Sequence, residues 1–154
     1  MRWQTPSRPS GWSSPGLAGI YDRLSPFAYD FMRFSTGAVL VPHGFQKLFL
    51  GTVGATAGGL AKEGFPAPLA WAYLVGVVEF AAAACLAIGL FTRLAAALIW
   101  IEMTVIITVF LWPNGYFWTN RGYEYALLWW LLCLAIFFRG GGRYSVDRLI
   151  GKEL

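Results

Sequence analysis

Four apolar stretches of this 154-residue chain each carry ionisable groups where hydrocarbon would otherwise surround them. The segment VPHGFQKLFL, Val41 to Leu50, holds the only histidine, His43, followed by Gln46 and Lys47; Glu79, Glu102 and Glu124 fall in three later apolar runs. A charged side chain at membrane depth costs roughly 2.5 to 3.5 kcal/mol on insertion scales, so such groups need one another or a wet cavity. His43 and Lys47 stand four apart and project from one helical face, with Gln46 beside them. At a rise of about 1.5 Å per residue, Lys47 and Glu124 lie about 5 Å below the non-cytoplasmic end of their spans, His43 about 10 Å, and Glu79 and Glu102 about 15 Å. Two chemistries suit this set. Either the groups are polar pairs that fix helix register, or they line a pocket opening outward, in which His43 or a glutamate exchanges protons or hydrogen-bonds a ligand headgroup. Glu102 is the member whose neighbours also suit lipid or another subunit.

The same inventory removes several mechanisms. One histidine does not make a bis-histidine haem site, and the chain has no Cys-x-x-Cys, paired histidine or clustered carboxylate motif for a tightly held metal. A glycine fingerprint for a dinucleotide is missing. Ser145 and Asp147 fall on the opposite side of the membrane from His43, so a Ser-His-Asp triad is not assembled. Cys85 and Cys133 read as small buried hydrophobes. Any redox chemistry must therefore use a diffusible lipid-soluble carrier or a partner's cofactor.

The elements that position these groups follow from composition. With 57% hydrophobic and only 13% charged residues, the chain is too apolar for a soluble domain of its length and belongs in a lipid bilayer. Leu69 to Phe91, Leu94 to Trp112 and Tyr123 to Phe138 are each near the roughly 20 residues that cross a bilayer, and Phe31 to Leu50 is a fourth span despite its polar residues. The reading is an all-α bundle of four transmembrane helices, near 26–50, 68–91, 94–112 and 122–138, with a loosely ordered tail at 1–25 and a cytoplasmic segment at 140–154. Four spans place Arg2, Arg8, Arg23, Arg33, Arg93, Arg139, Arg143, Arg148 and Lys152 on one side and only Lys47, Lys62 and Arg121 on the other. Basic residues favour the cytoplasmic side, so both termini are expected there, in a multi-pass membrane protein. The same asymmetry accounts for the net charge of +4 without nucleic acid.

The connections refine the picture. Ser25 and Pro26 suit the N-cap and first position of span one. Asp30 and Arg33, three apart, can pair, and Pro42 with Gly44 predicts a kink where a neighbour approaches closely. The glycine-rich link GTVGATAGGLAKEGFPAP predicts a partly helical cap, its prolines opening the second span. The short link GLFTR makes spans two and three antiparallel neighbours. WPNGYFWTNRGYEY supplies interfacial aromatic anchors, and the Ser-x-Asp of RGGGRYSVDRL can cap a short surface helix.

Taken together, TGAVLVPHGFQKLF, GFPAP, VEFAAAACLAIGLFTRLAA, YEYALLWW and GGGRYSVDRL give a pattern that resembles the DoxX family of small four-helix bacterial membrane proteins, over roughly residues 33 to 149. Gly140, Gly141 and Gly142 stand where relatives often read Gly-Pro-Gly. The resemblance implies kinship with membrane subunits of thiosulfate:quinone oxidoreductase and with proteins associated with terminal quinol oxidase. It also matches His43, Gly44, Lys47, Glu79, Arg93, Glu124, Ser145 and Asp147 to recurrent family positions. The expectation that follows is a quinone-associated subunit of an oxidoreductase or respiratory assembly, without a covalently bound cofactor. Its rivals are a non-catalytic accessory subunit stabilising a larger membrane complex and a small proton-coupled transporter.

Overall fold

The structure, a computed structural model, describes residues 15–151, and all regular structure among them is helical. Helix α1 runs Pro15–Phe49, α2 Val53–Lys62, α3 Pro68–Val77, α4 Ala83–Ile88, α5 Thr92–Val105, α6 Glu124–Arg139 and α7 Val146–Ile150. A wide π turn, Val78–Ala82, joins α3 to α4, and a second, Ile106–Leu111, extends α5. Two of the resulting rods, Pro68–Ile88 with 21 residues and Thr92–Asn114 with 23, are long and apolar enough to cross a membrane. The 35 residues of α1 have the length but are less apolar, with Asp30, Arg33, His43, Gln46 and Lys47 along them, and the 16 of α6 are short for a span.

Packing follows chain order. Helix α1 lies along α3, the first π turn and α4; that rod packs on α5, α5 on α6, and α6 returns to α1. The core is filled by small and branched side chains, among them Leu40, Ala83, Leu86, Ala96, Ile99 and Ile136. Phenylalanines and leucines such as Phe31, Phe34, Leu94 and Leu131 cover the outside. An apolar exterior around a core of small residues is the inverse of a soluble domain, and it suits helices that gain by close van der Waals approach rather than by leaving water. Gly44 shows how close that approach is, since a Cβ there would lie 2.3 Å from the backbone nitrogen of Phe80.

Two expectations change here. The tail at 1–25 and the helix start at Ser25 and Pro26 give way to a helix that already begins at Pro15; residues 1–14 lie outside the described part. Proline removes one intrahelical hydrogen bond, and residues 19 to 28 are exposed throughout, so the freed carbonyl is left on an open face. The second span ends at Ile88 rather than 91, because Gly89 takes a left-handed conformation with φ of 74° and stops the helix.

Candidate functional site

The polar groups gather at two places. The first is the middle of the helix assembly. Lys47, near the end of α1, donates from Nζ to Oε2 of Glu79 in the first π turn, forming an ion pair in which the glutamate is buried. A π turn inserts one residue into the helical ladder, and such turns are frequent at functional sites. Across from this pair, Glu102 of α5 is 8% exposed, and neither of its carboxylate oxygens has a hydrogen-bond partner among the described residues. It lies within electrostatic reach of Glu79, Lys47 and the Cys133 thiol of α6. An unpartnered buried carboxylate is stable only when it carries its own proton or receives donors from another molecule.

The second place is the end where α4, α5 and α6 meet the C-terminal segment. Arg33 is fully buried; its Nη1 donates to the carbonyls of Leu86 (2.5 Å) and Ala87 (2.6 Å), and Nη2 donates to that of Tyr144 (2.8 Å). Asp30 stands 3.9 Å from the same guanidinium and accepts from the backbone N–H of Tyr144 at 3.0 Å. Asp147 accepts from Phe91 N–H (2.7 Å), Thr92 N–H (2.9 Å) and the Thr92 hydroxyl (2.7 Å), which caps the N-terminus of α5. Arg93 donates to the carbonyls of Phe137 and Phe138 at the C-terminus of α6. Arg33, Asp147 and Arg93 thus each meet a helix end of opposite partial charge. Gly89 permits this convergence: a Cβ there would fall 2.5 Å from Ser145 Cβ and 2.9 Å from the Arg33 guanidinium carbon.

The sequence-derived set divides accordingly. Lys47, Glu79 and Glu102 come together. His43 does not join them: it is exposed and makes no hydrogen bond or ion pair with any described residue. Gln46 is exposed too. Helical geometry gives the reason. At about 100° per residue, the buried positions 33, 36, 37, 40 and 44 lie within about 60° of one line, Lys47 sits about 40° off it, His43 about 80° and Gln46 about 140°. Four-residue spacing groups Lys47 with His43, but the packing face runs through Gly44. Glu124 is also elsewhere, accepting from the Trp118 backbone N–H at 3.1 Å in the aromatic connection. The Asp30–Arg33 pair forms, yet Arg33 is held mainly by carbonyls. Ser145 caps α7, accepting from Arg148 N–H at 3.3 Å, while Asp147 reaches past that short helix to α5. The part of Thr92 was missed; a Thr beside a tight link just before an apolar run is the N-terminal signal that could have found it.

A family model described as DoxX matches residues 28–112. An uncharacterized protein of Haemophilus influenzae is 30% identical over 135 residues, covering 86% of this chain and 97% of its own length. An uncharacterized membrane protein of Mycobacterium tuberculosis is 29% identical over 154 residues, covering 94% of each chain. No solved structure matches.

Proposed function

The chain belongs to the DoxX family of membrane proteins, and we propose that it is a quinone-associated subunit of an oxidoreductase or respiratory assembly in the bacterial cytoplasmic membrane. In this reading α1, the rod 68–88, the rod 92–111 and α6 all cross the bilayer as a four-helix bundle. The arginine-rich end and both termini face the cytoplasm, by the positive-inside bias. Alkylation from the cytoplasmic side of a cysteine placed by Arg143→Cys tests that orientation, and labelling only from the outside overturns it.

The single observation that carries the function is Glu102, a buried carboxylate with two unpartnered oxygens beside the Lys47–Glu79 ion pair. Reduction of a quinone takes two electrons and two protons; the electrons would come from a redox centre of the partner subunit. This chain would supply the protons. Lys47 would donate a hydrogen bond to a quinone carbonyl, and Glu102 and Glu79 would hand over or receive the protons of the hydroxyls. His43, on the flank of α1 one turn from Lys47, is the polar group that a headgroup sliding in from lipid meets first.

Organic extraction of the gently solubilised protein is expected to recover quinone, and Glu102→Gln to lower the quinone-linked activity of the assembly by about 100-fold with the folded yield intact. Recovery of no quinone, together with unchanged activity in Glu102→Gln and Glu79→Gln, overturns the reading. The closed Lys47–Glu79 pair, which can serve register alone, favours the accessory-subunit reading in that event.

A further inference from the structure

A groove of about 430 Å³ opens on the outside of α1 at the arginine-rich end. Its walls are Phe27, Phe31 and Phe34 of α1 and Ile88 of α4, Tyr144 closes one side, and Arg33 and Asp30 lie at its floor. Phe31 is 71% exposed, so the groove opens toward the surroundings rather than into the core. Three features distinguish it from an ordinary lipid-facing surface. Arg33 is 2% exposed and its Nε has no hydrogen-bond partner among the described residues. Tyr144 stacks on Phe27 with ring centres 5.0 Å apart, and the Arg143 guanidinium lies 5.5 Å above the Tyr144 ring, which puts a cation at the rim. Arg23 precedes Phe27 by four residues, so it continues the line of Phe27, Phe31 and Phe34 one turn toward the aqueous side.

Apolar walls, a cationic rim and a buried guanidinium at the floor describe an amphiphile with an anionic head. The local charge agrees. At this end the described residues include Arg23, Arg33, Arg93, Arg139, Arg143 and Arg148 against Asp22, Asp30 and Asp147, six arginines to three aspartates. Asp30 is paired with Arg33, and Asp147 is saturated by donors from Phe91 and Thr92.

We propose that this groove binds an anionic phospholipid of the cytoplasmic leaflet, one acyl chain lying along Phe27, Phe31 and Phe34 and the phosphate held between Arg23 and Arg143. The inference rests on the membrane orientation proposed above and not on the quinone reading, since none of its residues belongs to the Lys47–Glu79–Glu102 centre. Bound there, the lipid would bridge α1 to the C-terminal segment and reinforce the junction that Arg33 makes.

The test uses the full chain in detergent, with no redox partner, titrated with phosphatidylglycerol, phosphatidylcholine or inorganic phosphate and read by native mass spectrometry and by thermal unfolding. Phosphatidylglycerol is expected to be retained and to raise the melting temperature, phosphatidylcholine to be retained far less, and phosphate alone to do neither. The double variant Arg23→Gln/Arg143→Gln, both sites exposed, should bind phosphatidylglycerol roughly 25-fold more weakly, about fivefold per arginine. Phe31→Ser should weaken binding without altering the unliganded melting temperature. Equal retention of the two lipids, competition by phosphate alone, or unchanged binding in the double variant overturns the proposal. Displacement of the lipid by a quinone with no effect of the arginine variants overturns it as well. Because the assay contains no electron donor and leaves Glu102 intact, its failure says nothing against the quinone reading.

Discussion

Removing the carboxylate of Asp147 tests whether the C-terminal segment is a structural lock. Asp147 is 1% exposed and accepts three hydrogen bonds at the start of α5. In Asp147→Ala the buried N–H of Thr92 and the part-buried N–H of Phe91 lose their acceptor, at about 1 to 3 kcal/mol for a fully stranded donor. The negative charge at the helix N-terminus also goes, worth up to about 2 kcal/mol when partly buried. These losses overlap, so the expected destabilisation is about 3 to 5 kcal/mol, the range seen when one member of a buried charged pair is removed. Asp147→Asn keeps one acceptor oxygen and should lose about half as much. Reversible unfolding in mixed micelles of mild detergent and sodium dodecyl sulfate, followed by circular dichroism, gives the comparison. Arg148→Ala, one residue along and exposed, is the control and should stay within about 0.5 kcal/mol of the parent. A cycle with Thr92→Ala should return a coupling of about 0.5 to 3 kcal/mol. If Asp147→Ala unfolds together with Arg148→Ala, the reasoning from buried donors is wrong.

Other perturbations probe the packing and the polar centre. Gly44→Ala forces a Cβ to within 2.3 Å of backbone, which a rigid helix cannot relieve, so it should cost at least 1 to 3 kcal/mol, roughly the range for overpacking, in the same unfolding assay. Lys47→Met leaves Glu79 buried and unpaired and should destabilise by about 3 to 5 kcal/mol, whereas Lys47→Met/Glu79→Leu should recover most of that loss. Glu102→Leu removes a carboxylate that no described residue satisfies, so stability should hold or rise by about 1 kcal/mol while quinone-linked activity falls; a loss of stability would mean that the carboxylate has a partner. His43→Ala should change stability by less than about 0.5 kcal/mol, the usual result for an exposed side chain.

Much of the architecture can be read from hydropathy. The boundaries expected near 68, 94 and 138 fall within a few residues of helices that begin or end at Pro68, Thr92 and Arg139, because long apolar runs and their glycine stops are strong local signals. The start of α1 was not legible: Ser25–Pro26 has the chemistry of a helix start, yet the chain before it is helical from Pro15, and local propensity does not say which of two compatible starts is used. Among site residues, Lys47 pairs with Glu79 although their expected depths differ, and His43 does not join them. A spacing rule selects neighbours on a helix surface without saying where the packing face is centred. That centre is fixed by Gly44 against Phe80, a tertiary contact that one helix cannot announce.

The two polar regions differ in a way that bears on function. At the arginine-rich end, Asp147 is saturated by three donors, while Arg33, Asp30 and Arg93 each meet a backbone group of a helix end or of the C-terminal segment. Such satisfied contacts specify one arrangement of helices. In the middle, Lys47 pairs with Glu79 alone, and Glu102 has no hydrogen-bonding partner among the described residues. If helix register were the whole purpose, the Lys47–Glu79 pair would suffice and a hydrophobic residue at 102 would pack more stably. Retaining an acid there is a cost that the fold does not require, and chemistry on a proton is what an acid at that depth can provide. Glu102→Gln separates the two purposes, because it preserves shape and hydrogen-bonding capacity while abolishing proton transfer. A folded, fully assembled Glu102→Gln protein with normal quinone-linked turnover would return the whole cluster to architecture.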